Sequence, residues 1–221
     1  MKSLLPRAQQ GRVLADWVTS SLREAITDGH FEPGEKVDQE RIAVELEVSR
    51  TPIREALRRL QADGFVDVRP HYGAFIHKVS QDEIREVFEV RRVLEAEMVF
   101  QVTPLVPESV LDELDRWLSE SRAQLEVGNI TKHFETDVHF HGTLRDFLQN
   151  GLFKEMLDSL TNRLFMVRRL AQSKPGLHIP ESLQEHRCVL QAIRERDQKK
   201  AAALMKEHLQ HSSARIQELA A

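Results

Sequence analysis

Asp137 and His141 stand four residues apart, so on a helix they share one face. His186 directly follows Glu185, and His208 lies in a later helix-forming stretch. One carboxylate and three imidazoles offer the oxygen and nitrogen donors that suit a divalent transition metal. Three separate segments must converge before those donors can meet. Spacing alone leaves two readings open, a metal centre or ordinary solvated and core histidines, because the chain has 10 histidines and chance spacings come easily. His133 extends the same row but sits about 12 Å along the helix axis from His141, which places it on the surface or on a pocket wall. His139 falls off that face, and His211, one turn past His208, is a distal polar group. Cys188 is expected to point away from His186, into the core.

A second constellation is cationic. Arg50, Arg54 and Arg58 recur at i, i+4 and i+8, a stripe opposite the apolar Ile53, Ala56, Leu57 and Leu60. Arg59 adds a fourth charge, and Glu55 is the single acid between residues 50 and 59. A guanidinium can fork onto guanine O6 and N7 or clamp a phosphate, so such a stripe suits a helix laid in a DNA major groove. The amides of Ser49, Arg50 and Thr51 open that helix and form a natural phosphate seat. Taken alone, the stripe is first of all an ordinary solvated face. The order of the surrounding elements is what argues for more.

Helical spacing of Leu14, Val18, Leu22 and Ile26 predicts a helix over 12–29, closed by Gly29. Asp38 is an N-cap for a short helix through Leu46, and Pro52 sits in the first turn of the next, where its missing N–H costs nothing. That helix ends near Gly64. Residues 65–69 and 73–77 alternate like paired strands around a turn at Pro70-His71-Tyr72-Gly73. Everything later reads helical. Ser80 and Glu83 match a capping box at the head of a helix ending before Pro104, and Pro107 starts another that Gly128 ends. A third runs from Asn129 or Thr131 to about Asn150, and a fourth covers about 152–171. After a loop at Lys174-Pro175-Gly176 come helices over roughly 181–196 and 198–219, with Asp197 as N-cap.

The expected fold is mainly α: an N-terminal winged helix-turn-helix over 1–77, a linker at 78–81, and an all-helical bundle over 82–221. The chain has 221 residues, 41% hydrophobic and 30% charged, with a formal net charge of −4. It is therefore no polycation, and any nucleic-acid contact must come from a local basic face. One cysteine excludes an internal disulfide and a cysteine-based zinc site. No apolar run is long enough to span a bilayer and no signal-peptide core is visible, so a cytoplasmic protein without a membrane partner is expected.

Four runs appear in order: Phe31-Glu32-Pro33-Gly34-Glu35-Lys36-Val37, then Val48 through Leu60, then Gly64-Phe65-Val66, then Gly73-Ala74-Phe75-Ile76. Together they resemble the winged-helix domain of the GntR family of bacterial transcription regulators. The resemblance implies double-stranded operator DNA as partner and a homodimer on a palindromic site. It implies that Arg50 and Arg54 contact bases or phosphates, that Thr51 holds a phosphate, and that the wing tip at His71-Tyr72-Gly73 enters the minor groove. Two positions depart from the family. Glu40 stands where members often place an arginine, with Arg41 beside it either to substitute or to pair with Glu45. Glu47 stands where the turn commonly has glycine, which is tolerable only with φ below zero or with strain.

Residues 80–221 resemble the FCD ligand-binding domain of the FadR-like branch of that family. The signatures are Phe88-Glu89-Val90-Arg91 with Glu95, Asp137-x-x-Phe140-His141, Glu185-His186-Arg187, and Asp197 followed by Met205-x-x-His208-Leu209. In metal-bearing members Asp137, His141, His186 and His208 would be the ligands, for zinc, nickel or manganese. The fatty acyl-CoA-binding relatives lack this set. Arg91, Arg163 and Arg168 are candidates for gripping an effector. The resemblance thus implies a regulator, expected to be a repressor, released from its operator by a small organic acid that changes the relative orientation of the two winged helices. Alternatives are a dimeric regulator whose helical domain is purely structural, and a metal-dependent hydrolase or lyase. No nucleophile motif, phosphate loop or cofactor fingerprint supports the latter, so no enzymatic activity is expected.

Overall fold

The computed structural model describes residues 10–172 and 179–220. The chain divides into two compact units, Met1–Val79 and Ser80–Ala221.

The first unit holds α1 (Gln10–Thr27), α2 (Gln39–Glu45), α3 (Arg50–Ala62), β1 (Val66–Arg69) and β2 (Gly73–Ile76). Ala15, Val18, Leu22 and Ile26 of α1 recur at helical spacing and are buried, as are Ile53, Ala56, Leu57 and Leu60 of α3. The two helices pack on those stripes. Asp38 caps α2 by accepting from the amides of Glu40 and Arg41, each at 3.0 Å. β1 and β2 pair antiparallel, with Val66 opposite Ile76 and Arg69 opposite Gly73. The segment before α2 extends this hairpin: Val37 N–H donates to Ala74 O at 2.8 Å, and Ile76 N–H donates to Glu35 O at 2.8 Å. The wing is therefore sewn to the entrance of α2.

Glu47, in the turn between α2 and α3, has φ 53°. The backbone there keeps the left-handed conformation that glycine adopts freely, so this position carries strain rather than a relaxed alternative.

The second unit contains α4 (Gln81–Val102), α5 (Glu108–Glu126), α6 (Thr131–Asp146), α7 (Gly151–Gln172), α8 (Ile179–Arg194) and α9 (Gln198–Ala220). The capping box is present: Ser80 Oγ accepts from Glu83 N–H at 3.2 Å, and Ser80 N–H donates to Glu83 Oε2 at 2.9 Å. Asp197 Oδ1 accepts from Lys200 N–H at 3.0 Å at the head of α9. Asn129 Oδ1 accepts from Thr131 N–H at 3.2 Å at the head of α6. α8 already includes Ile179 and Pro180, ahead of the start expected near 181. The expected loop at Lys174-Pro175-Gly176 lies outside the described residues.

α4 packs most extensively on α9, and α8 also lies on α9. α5 contacts both α6 and α8, and α7 lies against α4. The fold is mainly helical, and no described helix is long and apolar enough to cross a membrane.

Candidate metal centre and candidate nucleic-acid interface

α6 carries Asp137 and His141 one turn apart, α8 supplies His186, and α9 supplies His208. One donor atom from each lies within 4.8 Å of all the others. His186 Nε2 is 3.2 Å from His141 Nε2, and Asp137 Oδ1 is 3.5 Å from His141 Nε2 and 3.6 Å from His186 Nε2. Donors about 2.1 Å from a common ion, at angles between square and tetrahedral, lie about 3.0–3.4 Å apart. These separations are thus close to the edges of one coordination polyhedron. The imidazoles are deeply buried, His186 at 0% and His208 at 1% relative exposure, while Asp137 is half-buried. The donor set fits a divalent metal ion.

The outer nitrogens are treated differently on each ring. His208 Nδ1 lies 2.8 Å from Glu185 Oε2, which leaves its Nε2 for the centre. Glu95 Oε2 approaches His141 Nδ1 to 2.5 Å. His186 Nδ1 is buried with no hydrogen-bond partner among the described residues. Glu95 itself is tied to Arg91, whose Nε donates to Oε1 at 2.5 Å, and both side chains are buried.

Burial opposes a charge on Glu95, yet the Arg91 guanidinium and the His141 ring hold its carboxyl down at about 2. Burial works against protonated His141 too, but Glu95, with Asp137 behind it, wins and raises that ring. His186 is pushed well down by burial and by the neighbouring His208 and His141 rings. His208 is lowered by burial, with Glu185 acting in opposition.

A cavity of about 130 Å³ opens beside this group, lined by Arg91, Glu95, His141, Arg145 and Thr161 over an apolar floor that includes Leu164. Of the expected effector-gripping arginines, Arg91 reaches the cavity. Arg163 does not line it and is exposed, because its helical phase turns it away from α4 and α6. The side chain of Arg168 lies outside the described residues. Arg145 was missed by sequence reasoning. It follows His141 by four residues on α6, a spacing that could have flagged it, and its Nη1 is 2.5 Å from Asp158 Oδ1.

Other expectations need correction. Of the two positions expected for His133, the surface one is excluded, since it is buried edge-on to Phe134. His139 stacks on Trp117 with centroids 4.1 Å apart, off the donor face as expected. Cys188 is half-buried rather than core, with its Sγ near Gln184, and is no part of the donor group. His211 Nδ1 lies 2.9 Å from Glu185 Oε1, so it shares a carboxylate with His208.

In the first unit, Ser49 is the N-cap of α3 with extended backbone and no side-chain cap bond. Its hydroxyl and the first amides of the helix remain available to a phosphate. Arg50, Thr51, Arg54 and Arg58 are all exposed on α3. Among the described residues neither Arg54 nor Arg58 has a carboxylate partner, whereas Arg50 Nη2 donates to Glu40 Oε1 at 2.6 Å. Arg41 is exposed and makes no ion pair with Glu45 among the described residues. Arg59 leaves the stripe and pairs with Asp16 on α1 and with Glu55. At the wing tip His71 is exposed with φ 65°, and Gly73 has φ 111°. A Cβ at Gly73 would lie 3.2 Å from Lys36 Cε.

Residues 86–211 match the FCD domain family, and residues 14–76 match the bacterial regulatory proteins of the gntR family. The HTH-type transcriptional repressor RspR of Escherichia coli (strain K12) is 26% identical over 199 residues, covering 90% of this chain and 86% of that protein. The crystal structure of a transcriptional regulator GntR from Rhodococcus sp. RHA1 is 26% identical, with a TM-score of 0.77 over 91% of this chain and 96% of that one. Escherichia coli McbR/YncC shares the fold, with a TM-score of 0.78 at 21% identity over 93% of this chain and 97% of that one.

Proposed function

The chain belongs to the gntR family of bacterial regulatory proteins and carries an FCD domain, and from that premise we propose that it is a metal-dependent, metabolite-responsive repressor. DNA binding and transcriptional regulation come with the family. The finer reading is a homodimer of the FadR-like branch on a palindromic operator, released by a small organic acid. The observation that carries it is the buried Asp137/His141/His186/His208 group, of which His141 also lines a cavity shared with Arg91 and Arg145.

Asp137, His141, His186 and His208 would hold the ion, with zinc, nickel and manganese as the candidates. When bound it supplies a Lewis-acidic seat for a carboxylate oxygen. Arg91 and Arg145 present guanidinium groups to the same space, and Thr161 adds a hydroxyl. A volume of about 130 Å³ suits an acid of a few carbons and excludes a long acyl chain. At the other unit, Ser49 and Thr51 hold a phosphate at the head of α3, Arg50, Arg54 and Arg58 face the groove, and His71 with Gly73 forms the wing tip. Arg41 stays at the periphery.

Release is linkage: the acid must bind the DNA-free form better than the DNA-bound form. A 100-fold loss of operator affinity corresponds to about 2.7 kcal/mol of coupling. One or two guanidinium–carboxylate contacts made in one form only would supply that.

The test is binding of the purified dimer to fragmented genomic DNA at near-physiological salt, repeated with a panel of two- to six-carbon mono-, di- and tricarboxylates. A few sharp palindromic sites that disappear with one class of acid support the reading. Sites retained with every acid would assign the helical unit a purely structural role.

A further inference from the structure

Glu185 makes four side-chain contacts, all with residues of α9. Its Oε2 takes His208 Nδ1 at 2.8 Å and Arg215 Nη2 at 2.6 Å. Its Oε1 takes His211 Nδ1 at 2.9 Å and Arg215 Nη1 at 3.2 Å. Glu185 precedes His186 on α8, while His208, His211 and Arg215 follow one another along α9. Two adjacent residues of α8 therefore divide the work: His186 offers its Nε2 to the donor group, and Glu185 crosses to α9.

From this juxtaposition we propose that Glu185, braced by Arg215, is the positioning residue of the metal centre. It fixes His208 as the Nδ1–H tautomer with Nε2 directed at the other three donors. An ionised carboxylate accepts only, so Nδ1 must carry the proton and Nε2 must present its lone pair. The bidentate Arg215 fork holds the carboxylate plane, so the ring orientation is set before any ion arrives. His141 has a comparable carboxylate, Glu95, 2.5 Å from its Nδ1 with Arg91 behind it, whereas His186 Nδ1 has no hydrogen-bond partner among the described residues. The proposal rests on the metal reading above only for its consequence; the tautomer is a property of the metal-free protein.

The experiment uses the full chain, stripped of metal and labelled with 15N-histidine. Long-range 1H–15N correlation reports the tautomer of His208, assigned by its loss in His208→Ala. Wild type is expected as Nδ1–H, and Glu185→Ala as mainly Nε2–H or a mixture. Zn2+ titration against a chromophoric chelator should show 10–100-fold weaker binding in Glu185→Ala, with Arg215→Ala and the isosteric Glu185→Gln falling between it and wild type. If Glu185→Ala does not fold, Glu185→Gln carries the same two readouts, with a several-fold loss on zinc. Wild-type tautomer together with wild-type zinc affinity in the folded variants overturns the proposal. If wild type shows the Nδ1–H tautomer but binds no zinc at all, the metal reading fails while the positioning of His208 by Glu185 stands.

Discussion

Glu40 on α2 and Arg50 at the head of α3 form an ion pair at 2.6 Å, and both side chains are exposed. The carboxylate that departs from the family pattern thus occupies the first arginine of the cationic stripe. Exposed pairs of this kind contribute about 0–1 kcal/mol to stability, so releasing it costs the fold little. Glu40→Ala should tighten operator binding by about three- to tenfold and steepen the salt dependence by about one phosphate contact. Affinity measured across a salt series checks this, and weaker binding would mean that Glu40 holds Arg50 in its working pose.

Arg54 has no carboxylate partner among the described residues and faces solvent from the same stripe. Arg54→Ala should weaken specific binding by about 1–3 kcal/mol with an unchanged melting curve. Binding equal to wild type on the same operator would remove Arg54 from the interface.

Glu47 holds φ 53° in the turn between α2 and α3. A non-glycine residue there costs about 1–2 kcal/mol, partly offset by the greater unfolded-state freedom of glycine. Glu47→Gly should therefore stabilise the first unit by about 0.5–1 kcal/mol, read as a rise in its unfolding midpoint. No rise would show that the surrounding turn relieves the strain.

Arg91 and Glu95 form a buried pair. Removing one partner of a buried pair strands the other, at about 3–5 kcal/mol. Glu95→Ala should lower the stability of the second unit by that order, and Arg91→Met combined with Glu95→Leu should recover much of it. Denaturant unfolding of the three proteins separates the stranded charge from lost packing.

His208→Ala should keep the helical signal of the second unit and abolish the stabilisation gained from added zinc. In wild type, ion at about 100 times its dissociation constant should add about 2.7 kcal/mol. Equal thermal shifts in both proteins would exclude His208 from the donor set.

Much of the architecture is legible without coordinates because it is written locally. Ser80 and Glu83 mark the head of α4, Asp197 the head of α9, and the apolar spacing of α1 and α3 gives their buried faces. Asp137 and His141 share a face for the same reason. The rest depends on how one helix is rotated against another, which periodicity leaves undefined. Arg59 counts as one more cation in the sequence, yet it is spent on Asp16, 43 residues away. Glu185 reads as the neighbour of His186, while its partners His208, His211 and Arg215 come from the next helix. Arg163 and Arg145 both lie at helical positions, and only the packing of α6 and α7 decides that Arg145 reaches the cavity.

The donor group draws two of its members from α6, one from α8 and one from α9. In order of synthesis His208 is the last to emerge from the ribosome, and its brace, Arg215, follows two turns later. A growing chain that has already released α6 and α8 still lacks a complete seat. If the group holds an ion as proposed, the full four-donor seat forms only once α9 has been made and docked, and a chain cut short before α9 offers Asp137, His141 and His186 without the fourth donor.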